Sequence, residues 1–168
     1  MKKLLILLLI GSLSAFAGLV EFGAHAGVFS PVGSVLDYYK TSPIFGVNIL
    51  AHMPMLAIEG SVSYAPISTE EITGVTEHSE SVIPILAGIR SYSGPIFYGG
   101  GLSLDLISID MVREGSETDE MNSRMGAYGN VGMIFPIGGM DIEASLKYHL
   151  MDFDFDTSWF GLTAGINF

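Results

Sequence analysis

Glu143, Ser145, Lys147 and His149 stand at alternate positions: a carboxylate, a hydroxyl, an amine and an imidazole in one row. Alternate residues of an extended chain share a face. Ser145 and His149, with Glu143 beside them, could therefore serve as nucleophile and base in acyl transfer. A second set is larger. Glu21, Glu59, Asp105 and Glu143 oppose Arg90, Arg124 and Lys147, with His25, His52 and His149 among them. Nearly balanced charges of this kind suit ion pairing. The histidines are not spaced as metal ligands, since neither H-x-x-x-H nor H-E-x-x-H occurs, and no metal or cofactor is expected. Asp152, Asp154 and Asp156 also alternate. Calcium favours clustered carboxylates, but this run lacks the Gly and closing Glu of an EF-hand loop, so a solvated acidic loop is the simpler reading.

The elements that must carry these residues are strands. In Trp159 to Phe168, residues Phe160, Leu162, Ala164, Ile166 and Phe168 share one face, and small or polar residues share the other. A period of two is the signature of a strand. The same alternation marks Leu19 to Phe29, Ile44 to Met53, Leu56 to Ala65, Ser81 to Ser91, Ile96 to Ile107, Ser123 to Phe135 and Met140 to Leu150. Pro84 weakens the Ser81 to Ser91 stretch, because proline removes a ladder donor. Long polar segments, Ser30 to Pro43, Pro66 to Glu80, Ser108 to Asn122 and Met151 to Thr157, alternate with tight turns near Pro54, Gly94 and Gly138. Eight strands with alternating long and short connections describe an up-and-down barrel.

Residues 1–17 are set apart from this pattern. Lys2 and Lys3 precede the apolar run Leu4 to Ile10, and Ala15-Phe16-Ala17 forms a small-x-small site. These are the three parts of an export signal, which leaves residues 18–168 for the barrel. Charged residues make up only 15% of the chain and mean hydropathy is +0.48, against about 25% charged in a soluble domain. With Lys2 and Lys3 removed, 18 acidic residues face five basic ones. That sign argues against nucleic acid as a partner. With no cysteine, a disulfide scaffold and a thiolate metal site are excluded.

Periodicity alone does not say which face looks inward. The polar face is mostly Gly, Ser, Ala and Asn with about one charge per strand, which suits a narrow lumen better than a water-facing exterior. Aromatic residues fall near both ends of the apolar face. Phe45, Tyr64, Tyr148 and Phe160 lie toward the long loops, and Tyr98, Phe135 and Phe168 toward the tight turns. Two such girdles are expected at the two interfaces of a bilayer. The chain resembles the small eight-stranded outer-membrane barrels of Gram-negative bacteria, the OmpA/OmpX-type and opacity-like group. The likeness rests on the strand pattern, on Gly23, Gly27 and Gly33, and on the terminal Phe168.

That resemblance implies an all-β, eight-stranded antiparallel up-and-down transmembrane β-barrel in the cell outer membrane, monomeric and followed by no further domain. It implies that Phe168, on its alternating strand, is the signal read by the barrel-assembly machinery. The seven charges Glu21, Glu59, Arg90, Asp105, Arg124, Glu143 and Lys147 are expected to form a lumen ion-pair network. Of these, Lys147, Asp105 and Arg124 fall toward the loop rim and the others toward the turn rim. The expected role is non-enzymatic: membrane structure or surface contact through acidic loops, with lipid and lipopolysaccharide as partners. A narrow pore for ions or small solutes is the alternative. A lipid A-modifying enzyme is a further one, although Ser145 and His149 would point into the lumen, away from lipid.

Overall fold

Gly138 and Gly139 both have positive φ, 60° and 89°. A two-residue hairpin loop of type I′ demands this at both positions, and residues with side chains resist it. The pair joins Ile137 to Met140. Gly94-Pro95 joins Ser93 to Ile96, with Gly94 at a φ of 62°. The computed structural model describes residues 19–33, 39–67, 77–113 and 116–168, with backbone alone at 77–79, 110–113 and 116–119. The expected export signal, 1–17, lies outside the described residues.

Eight strands follow one another: β1 (Val20–Val32), β2 (Ser42–His52), β3 (Leu56–Ile67), β4 (Glu77–Ser93), β5 (Ile96–Arg113), β6 (Ser116–Ile137), β7 (Met140–Met151) and β8 (Ser158–Asn167). Each pairs antiparallel with its sequence neighbour, and β8 returns to β1, closing the barrel. Main-chain bonds between Phe22 and Phe168, 3.0 and 2.9 Å, extend the seam by one residue past β8. Closure leaves no free edge around the body of the barrel, which hydrocarbon would penalise by several kcal/mol per unpaired group.

Ladder partners can be followed around the wall: Phe22, Ile49, Gly60, Ala87, Leu102, Ala127, Leu150, Ser158 and then Val32. The path returns to β1 ten residues further on, from 22 to 32. With eight strands, an offset of this size corresponds to a strand tilt of about 40°. The even offset keeps every strand's inward and outward faces in phase around the ring.

The apolar face is outside. Phe22, Val28, Val47, Ile58, Val62, Ile89, Leu102, Val131, Leu162 and Ile166 are all exposed. Buried Glu59, Arg90, Glu143 and Lys147 line the interior. A soluble barrel has the opposite polarity; this one suits a hydrocarbon surround. Of the aromatic residues expected in girdles, Phe45, Tyr64, Tyr98, Phe135, Phe160 and Phe168 are exposed, as is Phe22 on the turn side. Phe45 faces Tyr64 across β2–β3. Tyr148 packs on Phe160 with ring centroids 4.8 Å apart and donates to Ser158 Oγ at 2.8 Å. Phe160 and Phe168 are eight residues apart on one strand line, which puts the belts about 20 Å apart along the axis.

Two expectations need correction. The polar segments Pro66 to Glu80 and Ser108 to Asn122 are not wholly loops. β4 begins at Glu77, β5 continues to Arg113, and β6 begins at Ser116. Only residues 114–115 separate β5 from β6, so the third long connection is an extended hairpin standing above the girdle. Outside the bilayer neither face need be apolar, so its residues lack the hydrophobic alternation by which strands are read. Pro84 does lie within β4, fully buried. The ladder accommodates it by skipping Ser63 and Tyr64 on β3.

The interior is also less uniformly polar than expected. Phe29, Ile44, Ala65, Ile67, Val82, Met151 and Trp159 form a buried apolar cluster, with Tyr39 and Ile107 packed against it. By register these residues occupy the loop-side end of the lumen. Trp159 stacks on Phe29 at 4.7 Å with an interplanar angle of 8°. This cap is the barrel's small hydrophobic core.

Candidate functional site: a buried charge cluster in the lumen

Small residues on the inward face make room for a few large ones. Gly132 lies opposite Phe97 on the β5–β6 ladder, and a Cβ at Gly132 would collide with the Phe97 ring. Phe97 therefore lies across the lumen floor, fully buried. The Arg90 guanidinium sits over its face, 4.3 Å from the ring centroid. This cation–π contact supports the guanidinium from one side.

From the other sides Arg90 meets two carboxylates. Nε donates to Glu59 Oε2 at 2.8 Å and Nη2 to Glu59 Oε1 at 2.7 Å, a bidentate fork. Nη1 donates to Glu143 Oε2 at 2.6 Å. Lys147 Nζ stands 3.6 Å from Glu59 Oε1. Asn130 Nδ2 donates to Glu59 Oε2 at 3.1 Å, and the Tyr128 hydroxyl approaches the same oxygen at 3.4 Å. Asn167 Nδ2 donates to Glu143 at 3.3 Å, and Asn167 Oδ1 accepts from Asn48 Nδ2 at 3.0 Å. The web thus ties β2, β3, β4, β6, β7 and β8 together across the lumen, with Phe97 of β5 beneath. Two acids and two bases make it neutral overall. Burying these ions unpaired would be prohibitive; paired and multiply hydrogen-bonded, they can be held.

Four of the seven expected network residues, Glu59, Arg90, Glu143 and Lys147, are brought together. Lys147 reaches the cluster although its position in the strand suggested the loop rim, because its long side chain extends down the lumen. Glu21, Asp105 and Arg124 stand apart. Glu21 pairs with His52 at 3.1 Å on the turn rim, both partly exposed. Arg124 pairs with Asp152 on the loop rim, both nearly half exposed. Asp105 faces Arg124 directly across the β5–β6 ladder, yet Arg124 turns to Asp152 at the loop rim. The fully buried Asp105 keeps one bond, accepted from Ser103 Oγ at 2.9 Å, and its Oδ1 has no hydrogen-bond partner among the described residues. Strand order gives height in the barrel; it does not give the direction of a long side chain.

The hydrolase-like row is divided. Ser145 is hydrogen-bonded to Thr163 at 2.8 Å. His149 is buried edge-on against Phe29, centroids 5.3 Å apart, and its Nδ1 has no hydrogen-bond partner among the described residues. His25 Nε2 lies 3.0 Å from Ser63 Oγ. Two of the three aspartates of the last loop have separate tasks. Asp152 holds Arg124, and Asp154 Oδ1 accepts from the Asp156 amide at 3.1 Å, capping a single 3-10 turn, Phe155–Thr157. Among the described residues no group of His, Asp and Glu is arranged to hold a metal. The sequence reading missed the inward apolar residues. Trp159 and Phe29 carried a usable signal: each is aromatic yet falls on the small, polar face of its strand.

No protein-family model and no curated protein matches the sequence. Solved structures do match in fold. Neisserial surface protein A superposes with a TM-score of 0.56 at 14% identity, covering 88% of this chain and 95% of that one. Ail, the attachment invasion locus protein of Yersinia pestis, gives 0.56 at 18% identity, covering 89% and 96%. A major outer membrane protein from Thermus thermophilus gives 0.59 at 10% identity, covering 89% and 98%. The chain has the fold of the small eight-stranded outer-membrane barrels.

Proposed function

We propose that this chain is an integral outer-membrane barrel that catalyses no reaction, is closed to solutes and makes contacts at the cell surface through its loop rim. The observation that carries the reading is the Arg90 cluster, which spans the lumen with a neutral, buried and hydrogen-bonded set of ions. The apolar cap above it adds a second barrier. The apolar exterior between two aromatic belts supports the membrane location. Separation of Ser145 from His149 by their own partners supports a non-catalytic role. The β4–β6 strands that rise above the loop-side girdle offer a surface for contact, and Ail is by name an attachment protein. Ail is also described in complex with the heparin analogue sucrose octasulfate. The acidic balance of this chain disfavours such polyanions. Lipopolysaccharide bridged by divalent cations suits its loops better, and Phe168 serves as the assembly signal.

The test is conductance of the refolded protein in planar bilayers. The expected trace shows no discrete steps above the leak. Steps of a reproducible size would replace this reading with the narrow pore. Protease shaving of intact cells should cut near Glu77, Glu117 and Asp154 and nowhere in the barrel body. Mass spectrometry of lipid A from expressing cells should show an unchanged acyl pattern; a change abolished by His149→Ala would establish an enzyme.

A further inference from the structure

Above the loop-side girdle β6 has a neighbour on one side only. Its ladder with β5 runs unbroken from Ile96 and Met133 up to Arg113 and Ser116. Its ladder with β7 stops at Gly126 and Met151. From Ser116 to Met125 the β7 side of the strand therefore has no strand partner among the described residues. At about 3.3 Å per residue this is an open edge of roughly 30 Å. Glu120 to Met125 are exposed without a break, and Met121 is 71% exposed, so neither face of the strand is covered there. The edge stands clear of hydrocarbon, where water can meet its amides.

The main chain of this edge can be oriented residue by residue. Ile134 N donates to Pro95 O at 2.7 Å across β5–β6. In an antiparallel pair the N–H and C=O of one residue point to the same neighbour, and alternate residues point opposite ways. The register holds without a bulge, so the even-numbered residues of β6 serve β5. Glu117, Asp119, Met121 and Ser123 turn their N–H and C=O to the open side. Such a row is a template for an added strand.

Charge selects what is added. Between Ser108 and Arg124 the sequence has five acids against Arg113 and Arg124, and Arg124 is already engaged by Asp152. A cationic strand is attracted to such a hairpin and an anionic one repelled. A second copy is disfavoured twice. It brings the same acids, and in the same membrane its β6 descends in the same sense, whereas like edges pair antiparallel about a two-fold axis.

We propose that the open edge of β6, Glu117 to Ser123, docks an extended lysine- or arginine-bearing segment of another protein, which adds to the sheet beside β6. This deepens the surface-contact reading above and rests on it for the side of the membrane that the edge faces.

The refolded protein in detergent micelles is titrated at constant ionic strength against a dye-labelled peptide of alternating Lys and Thr, about ten residues long, and read by fluorescence anisotropy. The comparison probes are a peptoid of equal length and charge, which has no amide N–H, and a peptide of alternating Glu and Thr. The expected result is saturable binding of the Lys–Thr peptide and binding at least tenfold weaker for the other two. Met121→Pro removes an open-side N–H that β5 does not use, a change that edge strands tolerate. It should weaken binding roughly five- to tenfold, whereas Met121→Ala should leave it unchanged. Equal binding of the peptoid would mean charge attraction alone and overturns the proposal, as does equal binding of the Glu–Thr peptide. So does a Met121→Pro protein that runs as folded on a heat-modifiability gel and binds as tightly as the parent. A dimer in micelles that is lost in Met121→Pro would give the edge to a second copy and overturn it too. Conductance steps would remove the closed-lumen reading and leave these titrations untouched, so the two failures are told apart.

Discussion

Arg90 and Glu59 form a two-point fork, 2.8 and 2.7 Å, between neighbouring strands β4 and β3, each residue only 1% exposed. Its worth lies in what its loss would leave behind. Arg90→Leu strips both Glu59 and Glu143 of their main partner and should destabilise the barrel by about 3–5 kcal/mol. Urea unfolding from micelles, followed by the heat-modifiable gel shift, measures this. A loss below about 1 kcal/mol would show that the cluster is not the lumen's keystone.

Asp105 offers the contrary case. It is fully buried with one hydroxyl donor and no cation in contact among the described residues. Asp105→Asn keeps an acceptor for Ser103 and sheds an uncompensated charge, so it should raise stability by about 1 kcal/mol. The same unfolding assay at neutral pH checks it, and a clear loss would mean that Asp105 has a cation partner in solution.

Gly132 leaves the space that the Phe97 ring occupies. Gly132→Ala should cost about 1–3 kcal/mol through overpacking and should tilt Phe97 away from Arg90. Gly132→Ala combined with Phe97→Leu should recover part of that loss. Failure of the pair to recover any of it would place the damage in the backbone.

Arg124 and Asp152 pair at the loop rim, each nearly half exposed. Solvent screening limits such a pair to about 0–1 kcal/mol. Asp152 and Phe153, however, hold positive φ, 52° and 58°, a conformation costly for residues with a Cβ. Arg124→Ala should thus leave global unfolding almost unchanged while speeding proteolysis between Asp152 and Thr157. Equal protease resistance would remove the latch role.

Phe168 is 69% exposed, and its main chain pairs with Phe22. Phe168→Ala keeps both backbone bonds. Refolding in detergent should reach nearly the parental stability, whereas the folded fraction assembled in cells should drop severalfold. Equal drops in both settings would make Phe168 a packing residue only.

Much of the barrel is visible in the residues themselves, for a physical reason. Wherever one face of a strand meets hydrocarbon and the other a crowded lumen, alternation is enforced, as at Met140 to Leu150. Where the wall rises clear of both environments, at Ser108 to Asn122, nothing enforces it and the strand reads as loop. The candidate site is legible in part. Glu59, Arg90, Glu143 and Lys147 share the inward face by their sequence spacing, but their pairing depends on reach: a long Lys147 side chain descends while Arg124 turns to Asp152 at the loop rim. Inward Phe29 and Trp159 look anomalous on a polar face until the apolar cap gives them a place.

The ten-residue offset around the wall has a mechanical corollary. Strand count and stagger are whole numbers, so the cylinder's girth cannot grow by degrees; dilation requires breaking rungs in a medium that offers them no substitute partner. Anything that passes along the axis must therefore do so by moving occupants of the bore, while its walls stay where they are.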